Sequence, residues 1–309
     1  MRKLSVILGS CAMMAVIIFS PQKVSAAANN AQALNPNQEY YFDLDGNGVS
    51  EKIYYDFSNA TVEKTTGTDS YNVTKTYMDI YINDSVARQV EISGVLNSHF
   101  LQQLIVTDVN ASDNQKELFA VSANYDKDNW TNFCWNITYL QYTNNSLEQR
   151  QNINDLISQK YADTNIHMIT ADEVFESDGS GKLKLELCQF IGNCDGNFVH
   201  YYTTVNLVNG TFVNTTQKSF DIVKYERTKS GKKFKCTTST TVDKKAVLYK
   251  KPKKSSKKVR LKKGDKVTYK KVYVTDNGKV FLYVKTRSGK KGYIWPYKFT
   301  KNVYDVMHV

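Results

Sequence analysis

Between Asp43 and Glu51 the chain sets oxygen-bearing side chains at alternate positions: Asp43, Asp45, Asn47 and Glu51, with the carbonyl of Val49 before the last. Calcium is held by several such hard oxygens on one tight turn, and Gly46 and Gly48 leave the backbone free to fold round an ion. The twelfth position is Tyr54 rather than a bidentate Glu, and both flanks are strand-like, so the loop is not an EF-hand. The alternative is an Asx-rich hairpin turn that needs no metal. An ion here would be structural, fastening two strands and leaving no open position for a substrate.

The acidic turn recurs. Asp108-Val-Asn-Ala-Ser-Asp-Asn-Gln-Lys-Glu117-Leu-Phe-Ala follows Asp43 to Tyr55 at a spacing of 65 residues, and a shorter copy with Asp178 follows after 70 more. The second copy offers Asp108, Asn110, Ser112 and Glu117, a set poorer in charge, and the third reads as a turn alone. Spacings of this size fit one antiparallel sheet of about four strands per repeat.

A second group of chemistry-bearing residues lies near the C-terminus. From Lys250 to Lys263 eight Lys and one Arg occur in fourteen residues, and Lys250, Lys251, Lys253, Lys254, Lys257 and Lys258 are the candidates for contact with an anion. Tyr283, Tyr293 and Trp295, with Tyr249 and Tyr273, are aromatics able to stack on sugars or to serve as core. The cluster belongs to a wider break in charge. Residues 224 to 301 carry 27 Lys/Arg against four acids, whereas residues 27 to 223 carry 11 basic and 25 acidic side chains. Two parts of opposite sign read as two modules with different partners. Salt screens attraction beyond about 8 Å, so the partner must be met by clustered lysines rather than by net charge.

The elements that position these residues read as β throughout. Runs rich in Tyr, Val, Ile, Thr and Phe, at Lys52 to Phe57, Tyr77 to Ile82, Glu117 to Asn124, Asn136 to Tyr142, Lys182 to Phe190 and Val199 to Leu207, alternate with Asp, Asn and Gly clusters. Only Val95 to Leu104 and Ile153 to Tyr161 compete as short helices. In the C-terminal part, Ala246 to Tyr249, Lys266 to Val274, Val280 to Val284 and Gly292 to Trp295 alternate apolar with polar residues, separated by turns at Pro252, Gly264, Gly278 and Gly289. The fold class is therefore all-β, with a blade-like body (a partial β-propeller, a stack of sheets or a sandwich) followed by a small SH3-like β-barrel.

The repeated turn resembles the FG-GAP/VCBS-like repeats, whose propeller blades carry a calcium loop of the form D-x-D-G-x-G-x-x-E before a strand. That resemblance implies calcium at the Asp43 turn. The C-terminal order, Val247-Leu-Tyr249 then Pro252, Leu261-Lys-Lys-Gly264-Asp265-Lys-Val267, Val280 to Lys285 and Gly292-Tyr293-Ile294, resembles the bacterial SH3 family, SH3b. It departs at Phe281-Leu-Tyr283, where members often have Trp, and in its lysine content. The resemblance implies a non-catalytic module that binds peptidoglycan or a related anionic cell-wall polymer.

Met1-Arg-Lys3, the apolar run Leu4 to Phe19 and Val24-Ser25-Ala26 predict a secretory signal over residues 1–26. A rival lipoprotein reading at Leu8-Gly9-Ser10-Cys11 would place the lipidated Cys in the middle of the apolar run. No later run is long enough to span a membrane. Four cysteines remain, Cys134, Cys188, Cys194 and Cys236, and three disulfide pairings or buried thiols all fit them. The expected order is a signal peptide (1–26), an acidic body (27–223), a linker (224–235), the SH3b-like domain (236–301) and a tail (302–309). The four His are scattered, with no HExxH motif, and no G-x-S-x-G elbow is present, so the chain reads as non-enzymatic. The function expected is that of a secreted, wall-associated bacterial protein. A wall or polysaccharide hydrolase delivered by the same module is the alternative, and export makes nucleic acid the weaker partner.

Overall fold

The computed structural model describes residues 31–66, 69–92, 102–125, 133–161, 168–190, 198–229, 232–236, 239–242, 244–295 and 303–304. The leader, Cys194, residues 95–101 of the first helical expectation and most of the tail lie outside them, as do the side chains of Cys134, Cys188 and Cys236.

The chain runs through β1 (Gln32–Ala33), β2 (Tyr40–Phe42), β3 (Glu51–Thr66), β4 (Asp69–Ile82) and β5 (Ser85–Ile92), then β6 (Gln103–Thr107), β7 (Glu117–Tyr125), β8 (Phe133–Thr143) and β9 (Ser146–Asn152). Helix α1 (Ile153–Lys160) leads to β10 (Met168–Ser177), β11 (Lys182–Phe190), β12 (Phe198–Val208), β13 (Thr211–Asn214) and β14 (Ser219–Asp221). A hairpin of β15 (Tyr225–Lys229) and β16 (Lys232–Cys236) precedes β17 (Ser239–Val242), β18 (Ala246–Tyr249), β19 (Lys258–Leu261), β20 (Lys266–Val274), β21 (Val280–Thr286), β22 (Lys291–Ile294) and β23 (Val303–Tyr304). The protein is all-β, and its sheets are antiparallel. All six strand runs expected in the body fall inside strands, namely β3, β4, β7, β8, β11 and β12.

Three meanders follow one another: β2-β3-β4-β5, then β6-β7-β8-β9 with β1 added beside β6, then β10-β11-β12-β13. Each acidic turn joins the first strand of a meander to the second, so Glu51, Glu117 and Lys182 open equivalent strands. The middle sheet is buried on both faces. Leu104, Val106, Leu118, Ala120 and Leu140 pack against the first sheet, around Ile53, Tyr55, Met78 and Ile80. Ile105, Phe119, Val121, Ile137 and Tyr139 point the other way, into a core shared with the third sheet. This corrects the helical expectation at its described end, because Gln103 and Leu104 open β6. A run that alternates between two cores is apolar on both faces and so lacks the polar half of a strand pattern.

The second helical expectation forms as α1. Asn152 caps it, its side chain accepting from the N–H groups of Asn154 and Asp155 at 2.9 and 3.2 Å. Ile153, Leu156 and Ile157 are buried below it. At its end the Lys160 ammonium donates to the carbonyls of Thr215 and Gln217 at 2.6 and 2.8 Å and lies 4.9 Å from the centre of the Phe220 ring.

The C-terminal sheet has the order β19-β18-β22-β21-β20-β17-β23, with β14 also paired to β20. β14 lies within the stretch that charge assigns to the body, yet Ser219, Phe220 and Asp221 pair with Tyr273, Val272 and Lys271. The interval expected as a linker holds the β15–β16 hairpin. Gly292 is the residue that lets β22 approach β18, since a Cβ there would stand 2.7 Å from the Tyr249 carbonyl oxygen.

Candidate functional site

In the first acidic turn the side chains organise the backbone before any ion is considered. Asp43 accepts from the Gly48 N–H at 2.8 Å, Asp45 from the Asn47 N–H at 3.1 Å and Asn47 from the Val49 N–H at 2.7 Å. Glu51, buried at the start of β3, accepts from the Leu44 N–H at 2.8 Å. Gly46 has φ +76, and a Cβ there would meet the backbone of Asn114 in the second turn at 3.1 Å, so glycine suits both its conformation and its neighbour. Carboxylate oxygens of Asp43, Asp45 and Glu51 lie within 4.8 Å of one another, and the buried Oδ1 of Asp43 has no hydrogen-bond partner. A buried acceptor without a donor is costly, and three converging carboxylates repel one another; a hard cation would answer both. Val49 sits on the outside of this turn, 65% exposed.

The second turn keeps the same frame and fills it differently. Glu117 accepts from the Val109 N–H at 2.7 Å, as Glu51 does from Leu44, and burial pushes its carboxyl up to about 7. Asn110 donates to Asp113 and accepts from the Ser112 hydroxyl, both at 2.8 Å, so two of the candidate ligands are engaged within the turn. The Lys116 ammonium lies 2.8 Å from Asp108 Oδ2. A lysine thus supplies a cation in the second copy, whose candidate ligand set holds two acids rather than three. The third turn is short, with Asp178 accepting from the Ser180 N–H at 3.0 Å. The turns are also stacked. The Lys116 N–H donates to the Leu44 carbonyl at 3.1 Å, and the Gly181 N–H to the Val109 carbonyl at 2.7 Å, the same contact one repeat later.

The C-terminal candidates gather on the outer face of their sheet. Tyr249 pairs with Tyr293, Tyr293 with Tyr283, and Tyr283 with Lys271, so Tyr249, itself buried, Tyr293 and Tyr283 form a row across β18, β22 and β21 that ends on Lys271 of β20. The Tyr283 and Tyr293 rings are 5.2 Å apart, and Tyr273 meets Tyr293 edge-on at 5.7 Å. Burial, followed by the neighbouring Tyr273 and Tyr283, raises the Tyr293 hydroxyl above its usual value. Leu282, Val284 and Ile294 point to the opposite face and are fully buried. Lys250, Lys251, Lys253, Lys254 and Lys257 on the β18–β19 loop, and Lys258 at the start of β19, are all exposed beside the row. Lys254 lies over the Trp295 ring, and Lys258 is 6.0 Å from the centre of Tyr249.

Sequence reasoning placed the β20–β21 turn at Gly278 but not the site that this turn helps to line. Asn277, Lys279 and Phe281 share a cavity of about 480 Å³ with Lys253, Lys254 and Ser255. The signal was present in the alternation Phe281-Leu-Tyr283, which sets Phe281 on the tyrosine face, but not in any motif. No known protein family, curated protein or solved structure matches this chain. Among the described residues no helix is long and apolar enough to cross a membrane.

Proposed function

We propose that this is an exported, non-enzymatic bacterial surface protein held at the cell wall by its C-terminal sheet. That sheet is an SH3b-like module, and the three meanders before it are blade-like sheets of a partial propeller, with calcium as a structural ion at Asp43, Asp45 and Glu51. The reading is carried by the tyrosine row of β18, β22 and β21 lying beside the exposed lysine loop. Flat aromatic faces suit sugar rings, and ammonium groups suit the anions such a polymer carries.

The test is co-sedimentation of the full chain with purified Gram-positive walls at low salt and at about 0.5 M salt, where the screening length falls to a few Å. The wild type is expected to bind at low salt and to retain part of its binding at high salt. Tyr283→Ala with Tyr293→Ala should remove the salt-resistant part, and alanines at Lys250, Lys251, Lys257 and Lys258 the salt-sensitive part. Absence of binding at low salt would sink the reading. Binding to duplex nucleic acid but not to walls would give the module a different partner, and a cleared band on wall zymograms would make the protein an enzyme.

A further inference from the structure

The lysine loop and the β20–β21 turn close on one cavity, and its chemistry is narrower than that of a generally basic surface. Lys253, Lys254 and Lys279 line it together with Ser255 and Asn277, the Lys254 ammonium lying over the neighbouring Trp295 ring. Phe281, almost fully buried, supplies an apolar wall. The described acids of this sheet are held by other lysines: Asp221 by Lys271 at 3.0 Å, Asp265 by Lys290 at 3.4 Å and Asp276 by Lys218 at 2.5 Å.

The donor type narrows the anion. Ammonium groups act as point charges with rotatable donors, and here they come from two sides, the lysine loop and Lys279 of the β20–β21 turn, with Ser255 and Asn277 as further donors; such a set suits an anion with oxygens in several directions, as a tetrahedral phosphate has. The cavity's volume of about 480 Å³ also exceeds what a bare ion needs and falls within the range of small-molecule sites. The cavity is continuous with the aromatic face, because Phe281 pairs with Tyr273, whose ring meets Tyr293.

We propose that this cavity takes the phosphodiester group of a polyol-phosphate or sugar-phosphate polymer, while adjoining sugar or polyol units lie along the tyrosine row. The inference rests on the wall-binding reading above and names the part of the wall that is recognised.

The experiment titrates the full chain with a glycerol phosphate oligomer and with polygalacturonate of equal charge, and repeats the sedimentation on walls stripped of phosphodiester polymer by hydrofluoric acid. The phosphate oligomer is expected to bind about tenfold more tightly than the carboxylate one, and stripped walls to lose a similar factor. Lys253→Ala with Lys279→Ala should remove that preference with an unchanged melting temperature. Lys244→Ala with Lys245→Ala, an equal loss of exposed charge before β18, should leave it intact. Equal binding of the two oligomers, or equal loss in both double variants, would overturn the phosphate cavity even if walls are still bound. Tight binding of the phosphate oligomer with none to any wall would keep the cavity and sink the wall reading.

Discussion

Asp43 and Asp108 stand at the same place in successive repeats and meet different charges. Lys116 brings an ammonium to Asp108, whereas the residue before Glu51 is Ser50, which carries no charge to Asp43. Asp45 adds a further carboxylate beside Asp43, where Lys116 adds a cation beside Asp108, so the difference between the sites is one of charge. The two sites predict opposite responses to calcium. The wild-type melting temperature should rise with calcium over EDTA, by an amount corresponding to about 2–3 kcal/mol when the ion is at a hundred times its dissociation constant. Asp43→Asn should abolish that increment. Lys116→Gln should leave it intact while lowering stability in EDTA by about 1–2 kcal/mol, because a half-buried carboxylate loses its cation. Calcium melts of the three proteins decide this, and an equal increment in wild type and Asp43→Asn would remove the ion from the first turn.

At the scale of elements, the buried glutamate that opens β7 carries a pH dependence. Glu117 is buried where β7 leaves the second turn, and burial holds its carboxyl near 7, opposed in part by the Val109 N–H. Its ordinary value is 4.5, so between that and about 7 the folded chain keeps a proton that the unfolded chain releases. The contribution is fully present below 4.5 and lost as pH rises through 7, on the order of 3 kcal/mol at most. Glu117→Gln keeps an acceptor for Val109 and has no proton to lose. Melting temperatures from pH 4.5 to 8 should therefore fall for the wild type relative to the variant, and parallel curves would reject the buried acid. Much at this scale was legible beforehand. Lys52 to Phe57 and Val199 to Leu207 declare themselves as strands by β-branched and aromatic residues, and the acidic turns mark where each meander begins. Lys116 was passed over because a lysine inside an acidic turn reads as solvated charge until its ammonium is seen against Asp108. Three residues of β14 are too few to show a period. Their partner strand begins at Lys266, too far along the chain for local pattern to reveal.

For the whole molecule, the break in charge near Lys224 is not a break in the core. Phe220 lies between Tyr201 of β12, at a ring distance of 5.6 Å, and the strand β20 that β14 joins, with Lys160 of α1 over its ring. Ile222 bridges to Tyr201, and its N–H donates to the Lys270 carbonyl at 3.3 Å. The apolar cluster that begins on the middle sheet accordingly continues through Phe220 into Val272, Leu282 and Ile294. Folding energy is therefore shared between an acidic part and a basic part, and a wall polymer bound to the outer face of the last sheet would also fix the orientation of the meanders. Shared packing predicts cooperative unfolding. The full chain should melt in one calorimetric transition, with agreement between calorimetric and van't Hoff enthalpies. Phe220→Ala should cost about 3–5 kcal/mol, as removal of a buried aromatic does, and should separate a transition of the C-terminal sheet from that of the meanders. Two transitions already present in the wild type would show that Phe220 fills space without coupling the parts, and the fixed orientation would fall with it.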